Sequence, residues 1–374
     1  MVVDYYNKDI LLWGIERAGH RSEEFLVKES YLSDWLHDIK LPTVKQLETV
    51  AKKIHLPFGY LFLDTPPKET LNFPFFRTEG NQTTVKNVSL NVYETIQIIE
   101  NRQIWLKEYL LQNGNIPLPF VGKFKTSNKP VDVARDIRSI LNLSELWANR
   151  CDTWEDALNF LTDVIESVGI IISYNGVVGN SNKRKIPVNE CRGFVLVDNI
   201  VPFMFINNSD AKAAQIFTIA HELAHIWIGQ SAGFDFRNMS PANDDKEIFC
   251  DSVAAEFLIP AELLKNQWRK NQDFQVLNRF FKVSPIVVAR RALDLGFINK
   301  AAFFKFYNEY IRNEFHKKKD ASGGNFYFTM KKRISPTFAA YVDNGVRSGR
   351  LLYKDAYKLT GMHGDTFSEF FKRI

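Results

Sequence analysis

Two histidines and a glutamate interrupt an apolar stretch in the middle of the chain. The segment TIAHELAHIW, residues 218–227, places His221, Glu222 and His225 among side chains typical of a buried helix. Burying such polar groups is costly unless hydrogen bonds or a metal ion compensate them. Because His221 and His225 are four residues apart, a helix would project both imidazoles from one face. This spacing is the H-E-x-x-H pattern, in which two histidines bind zinc and the glutamate serves as a general base.

A third zinc ligand must come from elsewhere, since catalytic zinc takes three protein ligands and keeps one position open. The segment KEIFCDSVAAEFLIP, residues 246–260, has helical apolar spacing and offers Glu247. We expect Glu247 to complete the ligand set, with Asp251 and Cys250 as alternatives. Asp251 could instead hold a ligand histidine through its second ring nitrogen. Cys250 is soft enough for zinc, although a free cysteine on an apolar helix is usually a core residue.

The other histidines lie far from this motif in sequence, and we expect them at the surface or in the core. They are His20, His37, His55, His316 and His363.

The segments around the motif predict an α+β fold with a small antiparallel sheet. Residues 169–179 read as a strand, and residues 191–208 as a hairpin that turns near Asp198 and Asn199. The stretch VPFMFIN, residues 201–207, is either a sheet edge that a peptide substrate could extend or an ordinary core strand. Residues 207–230 then predict one long helix, capped by Asn208, Ser209 or Asp210 and ended by Gly229.

The N-terminal part, residues 1–69, predicts a small helical bundle. Residues 22–39 read as one helix, and Pro42 starts another that continues to Ile54. The stretch LPTVKQLETVAKKIHLPFGYLFLDTPP resembles an XRE-type helix-turn-helix domain. Residues 1–70 nevertheless hold 9 Lys and Arg against 11 Asp and Glu. Because DNA readers need cations for phosphates, a degenerate module used for packing or docking is the favoured interpretation.

The segments GFVLVDNIVPFMFINN, FTIAHELAHIW and EIFCDSVAAEFLIP together resemble the ImmA/IrrE family of zinc metallopeptidases. The resemblance runs from about Val131 to Ile298, and more loosely to the end of the chain, and implies a zincin-like domain. It assigns zinc to His221, His225 and Glu247, and the general base to Glu222. Several family members lie beside or are fused to an XRE-type domain and cleave a DNA-binding repressor. The expected organisation is a helix-turn-helix module (1–69), a helical bridge (70–130), a metallopeptidase domain (131–300) and a basic, mostly helical region (301–374).

Positive charge is concentrated at the C-terminal end of the chain. The net charge is +5, but residues 261–374 hold 22 Lys and Arg against 10 Asp and Glu. This region is either a solvated face or the contact surface for an anionic partner such as nucleic acid. The aromatics Phe326, Tyr327 and Phe328 could stack on bases, but alternating aromatics more often mark a half-buried strand. Residues 277–298 have helix–turn–helix spacing, and a structural three-helix element is the favoured interpretation.

The composition indicates a protein of the cytoplasm. The three cysteines, Cys151, Cys191 and Cys250, are far apart and odd in number, which suits a reducing compartment. No apolar run reaches the length of a membrane span, and no signal-peptide pattern opens the chain.

These observations predict a zinc-dependent endopeptidase that cleaves a protein partner, such as a repressor or an antitoxin. The alternative is a DNA-associated transcriptional regulator or toxin–antitoxin-type component whose zinc is structural or sensory. The presence of Glu222 favours the enzyme, because a structural site does not need that carboxylate.

Overall fold

The protein is α+β and divides into two compact units. The computed structural model describes residues 1–69, 75–79, 82–85, 88–235, 245–314 and 326–373. The first unit comprises residues 1–72 and 87–94, and the second comprises residues 73–86 and 95–374. The domain boundaries expected at residues 69, 130 and 300 remain predictions.

The first unit is a bundle of short helices around its own core. Its helices are α1 (Lys8–Arg17), α2 (Ser22–Lys28), α3 (Tyr31–Leu36) and α4 (Val44–Lys53), followed by a 3₁₀ turn (Phe58–Phe62). Phe25, Leu32, Trp35 and Leu47 are buried in its core.

The single helix predicted over residues 22–39 was wrong, because helical structure is interrupted between α2 and α3. Glu29 leaves helical geometry at φ −112° and ψ 62°. Its carboxylate accepts hydrogen bonds from Lys53 of α4 and from Tyr31. These contacts stabilise the break, which the apolar pattern on either side does not reveal. The next helix begins after Thr43, whose side chain caps it, rather than at Pro42.

The second unit places a mixed sheet among helices. Its elements are β1 (Phe75–Glu79), β2 (Gln82–Val85), α5 (Leu90–Gln112, whose first turn belongs to the first unit), α6 (Pro130–Ile140), α7 (Trp154–Ser167), β3 (Ile171–Tyr174), β4 (Gly193–Leu196), β5 (Phe203–Ile206), α8 (Lys212–Ile228), β6 (Ala232–Asp235), α9 (Asp245–Leu258), α10 (Ala261–Trp268), α11 (Phe274–Phe281), α12 (Pro285–Asp294), α13 (Lys300–Glu314), α14 (Phe326–Ile334), α15 (Pro336–Arg347), α16 (Tyr353–Thr360) and α17 (Gly364–Phe371).

The sheet has the strand order β2-β1-β6-β4-β5-β3 and is mixed, so the prediction of an antiparallel sheet was wrong. The hairpin β4–β5 is antiparallel, with Phe194 opposite Phe205, as the sequence predicted. β5 also pairs in parallel with β3, and β6 with β1. Parallel pairing joins strands that are separated along the chain, which local patterns do not reveal. Because β5 has a partner on each side, it is no free edge, and the substrate-edge interpretation of residues 201–207 was wrong.

Helix α8 runs through the main core and is buried along nearly its whole length. Gly229 ends it in the left-handed region at φ +71°, as predicted. Its N-cap, however, is Ala211 and not one of the three polar candidates. A crossing segment satisfies the C-terminal carbonyls, since Gly122 N donates to Ile226 O (3.0 Å) and Phe124 N donates to Trp227 O (3.0 Å). These contacts hold the end of α8 in place.

Residues 326–328 begin a helix, α14, so the half-buried strand predicted there was wrong. Met330 and Ile334 are buried, and their four-residue spacing gives α14 one apolar face. Phe328 lies away from that face and is 61% exposed, whereas Phe326, the first residue of α14, is 47% exposed. The aromatic residues at 326–328 therefore do not mark a β-strand.

None of the helices described is long and apolar enough to cross a lipid bilayer.

Candidate metal centre

Helix α8 presents both histidines of the motif to α9. The rings of His221 and His225 lie one helical turn apart, with centroids separated by 4.8 Å. Their Nε2 atoms are 3.0 Å apart. His221 is 0% exposed and His225 is 1% exposed, so hydrogen bonds to bulk water do not compensate the burial of either imidazole.

Glu247, in the first turn of α9, places its carboxylate beside the Nε2 atoms of both histidines. Its Oε2 lies 3.1 Å from His221 Nε2, and its Oε1 lies 3.3 Å from His225 Nε2. Ligand atoms about 2.0–2.1 Å from a tetrahedral zinc are separated by roughly 3.3 Å. His221, His225 and Glu247 form the one group of potential metal ligands found among the residues whose side chains are described.

Asp251 occupies the other side of His221, one turn further along α9. Its Oδ1 lies 2.9 Å from His221 Nδ1 and accepts a hydrogen bond from it. His221 Nε2 is then left as an acceptor that faces Glu247 and His225. Several acceptor atoms directed at one point require a cation, so these residues fit a divalent metal ion.

The electrostatics of the cluster favour positive charge at this point. Burial by itself would lower the pKa of His221, but hydrogen bonds and charge from Asp251 and Glu247 outweigh it and raise that pKa well above its usual value. Burial likewise opposes ionisation of Glu247, yet hydrogen bonds from the two histidines, when their Nε2 atoms carry a proton, lower the pKa of Glu247 below the usual range. Burial lowers the pKa of His225, which favours the neutral form that binds metals.

Glu222 follows His221 directly on α8, beside the potential ligand residues. Its side chain is 1% exposed, and its Oε2 is buried with no hydrogen-bond partner in the described part of the chain. Burial raises the pKa of Glu222 to about 8, although the positive charge of His221 acts to lower it. A buried carboxyl group whose Oε2 has no fixed partner among the described residues remains available for proton transfer.

The remaining candidates from the sequence lie elsewhere. Cys250 is buried in the core on α9 and is outside the ligand group. His20, His37, His55 and His363 are also outside it, and His316 falls beyond the described residues. Asp251 contacts a histidine rather than joining the ligand atoms, which is the second of the two arrangements considered for it.

Two buried arginines hold the C-terminal end of α9, and sequence reasoning missed this function. Arg138 of α6 donates from Nη1 to the carbonyl oxygens of Glu256 (3.0 Å) and Phe257 (3.3 Å). Arg291 of α12 donates to Ile259 O (3.1 Å) and forms an ion pair with Glu256. Cations at the carbonyl end of a helix complement its dipole. No local sequence signal distinguishes these arginines from solvent-exposed ones.

Asp251→Ala should weaken metal binding by roughly 10- to 100-fold, because His221 loses the partner that fixes its ring and tautomer. Asp251→Asn keeps an acceptor oxygen and should have a smaller effect. Competition with a chromophoric chelator measures both affinities. Asp245→Asn is the matched control, since Asp245 is an exposed acid on the same helix. An affinity of Asp251→Ala equal to that of the control would show that this hydrogen bond has no influence on the metal.

Comparison with known families supports the resemblance for the central part of the chain. Residues 181–293 match the Peptidase_M78 model, described as an IrrE N-terminal-like domain. Residues 334–373 match a domain of unknown function, DUF8813. No curated protein matches the chain. The stretch that holds His221, Glu222, His225 and Glu247 is therefore similar to a metallopeptidase domain of the ImmA/IrrE type.

Proposed function

We propose that the protein is a zinc-dependent endopeptidase in which His221, His225 and Glu247 hold the metal and Glu222 is the general base. The observation that carries the proposal is the convergence of three buried side chains, His221, His225 and Glu247, whose pairwise contacts are 3.0, 3.1 and 3.3 Å. Glu222 follows His221 directly in the chain. This combination of two histidines, one carboxylate ligand and an adjacent glutamate is the donor set of a hydrolytic zinc site.

The residues divide the chemistry between them. A bound zinc would act as a Lewis acid on the peptide carbonyl and would lower the pKa of a coordinated water. Glu222 takes a proton from the attacking water on its unpartnered Oε2 and delivers it to the leaving amine. Asp251 holds the ring of His221 through Nδ1, which directs Nε2 to the metal position.

The burial of the site supports a regulated peptidase. His221, Glu222, His225 and Glu247 are each 0–1% exposed. We propose that part of the surrounding structure moves before a peptide bond reaches Glu222. We propose a protein substrate, such as a DNA-binding repressor or an antitoxin, whose binding is coupled to that movement.

The same burial favours one alternative function. Structural zinc sites are closed to solvent, whereas catalytic sites keep an open position. The alternative is a DNA-associated regulator, or a toxin–antitoxin-type component, whose metal stabilises or senses rather than catalyses.

The test of the peptidase proposal is cleavage by the full-length protein. Purified protein loaded with zinc is incubated with the products of neighbouring genes, and fragments are identified by mass spectrometry. We expect one defined cut that a zinc chelator abolishes and added zinc restores. Cleavage that continues in excess chelator would assign the activity to a contaminating protease and contradict the proposal.

A further inference from the structure

A basic surface forms where three separate elements of the second unit meet. The elements are the loop between β3 and β4, the C-terminal end of α14 and the first turn of α8. The residues that define the basic surface are Lys183, Lys212, Lys331, Lys332 and Arg333.

Hydrogen bonds and ion pairs fix these elements together. Arg333 Nη2 donates to Asn182 Oδ1 at 3.4 Å, which places the loop against α14. Lys332 and Lys212 both bind the carboxylate of Glu155, at 2.7 Å and 2.9 Å. Two lysines that share one carboxylate lie close together, so α8 and α14 contribute to the same surface.

Part of the basic surface has no carboxylate partner among the described residues. Glu155 serves two lysines at once and cancels one charge of the pair. Lys183 and Lys331 are exposed, and neither has a carboxylate partner within the part of the chain that the structure describes. An uncompensated positive surface attracts an anionic partner.

Aromatic side chains continue the basic surface along α14. Phe328 is 61% exposed, and Lys332 Nζ lies 5.1 Å from the centre of its ring. Phe326, two residues earlier, is 47% exposed. An exposed ring beside lysines is the combination with which proteins bind single strands, since phosphates contact the cations and a base stacks on the ring.

We propose that the basic surface binds single-stranded nucleic acid, with phosphates at Lys183, Lys331 and Arg333 and a base on Phe328. The exposed ring favours a single strand, because a duplex keeps the faces of its bases stacked inside. The inference goes beyond peptide cleavage and requires neither a metal nor Glu222.

Fluorescence anisotropy of the full-length protein tests the proposal, with oligothymidylate and oligouridylate of about 16 nucleotides as probes. We expect binding in the range of roughly 1–100 µM at physiological salt. Phe328→Ala should weaken it about 5-fold or more, through loss of stacking. Lys183→Ala and Lys331→Ala should each reduce the slope of log affinity against log salt by about 0.7. The tighter of the two probes identifies DNA or RNA as the ligand.

Matched controls come from exposed residues elsewhere in the second unit. Lys270→Ala removes an exposed lysine, and Phe304→Ala removes a phenylalanine that is 55% exposed. Both should bind as the unmodified protein does. The proposal is overturned if a duplex of equal length binds more tightly, or if Phe328→Ala and Phe304→Ala have equal effects. It is also overturned if only an acidic polypeptide such as polyglutamate binds.

Discussion

Glu222→Gln should leave the protein folded and loaded with metal while peptide hydrolysis falls by roughly 100-fold or more, the usual scale for loss of a general base. The amide has the size of the carboxylate, and Glu222 is not among the three potential ligand residues. Its Oε2 has no hydrogen-bond partner among the described residues, so the substitution breaks no contact there. What disappears is the ability to accept a proton from the attacking water.

The measurement combines metal content, circular dichroism and the initial rate of substrate cleavage. Glu166→Gln is a matched control, because Glu166 is also a buried carboxylate but bonds Thr337 and Ile172 N, away from the metal ligands. The control should cleave at the rate of the unmodified protein. A Glu222→Gln protein that keeps zinc and cleaves at that same rate would remove Glu222 from the mechanism.

The same variant separates the two proposed functions in cells. A peptidase that carries Glu222→Gln would keep its fold and metal, yet its protein substrate would remain intact and the controlled genes would not respond. A regulator with structural or sensory zinc would keep its full effect, because its ligands are unchanged. Full biological activity of this variant with zinc in place would therefore favour the regulator.

The ligand geometry could be predicted from the sequence to the extent that it depends on local spacing. His221 and His225 lie on one face of α8 because they are four residues apart, and helix formation alone brings them together. Glu247 lies 26 residues from His221, and its choice rested on ligand chemistry and resemblance. Asp251 was considered both as a ligand and as a partner of a ligand histidine. Only the packing of α9 against α8 distinguishes these roles.

Other features depend on contacts between distant residues and could not be predicted. The parallel pairing of β3 with β5 requires the chain to cross over and return, which no strand pattern encodes. Arg138 bonds the end of α9 from 118 residues away. The break between α2 and α3 depends on Lys53, 24 residues beyond Glu29. In each case a contact between residues distant in sequence determines the structure, and local sequence propensity does not predict it.

His225→Ala should reduce zinc affinity on the order of 1,000-fold, since a three-ligand site that loses one ligand gives up about a third of the ~10–16 kcal/mol typical of such sites. Glu247→Ala should have a comparable effect, because Glu247 contacts both histidines. The purified protein should carry about one zinc per chain, and both variants should lose it during dialysis. Bound zinc also stabilises the fold by mass action, by about 2.7 kcal/mol at a concentration 100 times the Kd.

The thermal midpoint with and without zinc provides a readout that does not depend on activity. The unmodified protein should unfold at a higher temperature in zinc than in chelator, whereas His225→Ala and Glu247→Ala should show almost no difference. His363→Ala is the matched control, since His363 is an exposed histidine outside the ligand group, and it should respond to zinc normally. If Glu247→Ala keeps the full zinc-dependent shift while His225→Ala loses it, the third ligand is another residue. The absence of any shift in the unmodified protein, with no zinc bound after titration, would mean that the converging acceptors of His221, His225 and Glu247 hold a proton rather than a metal.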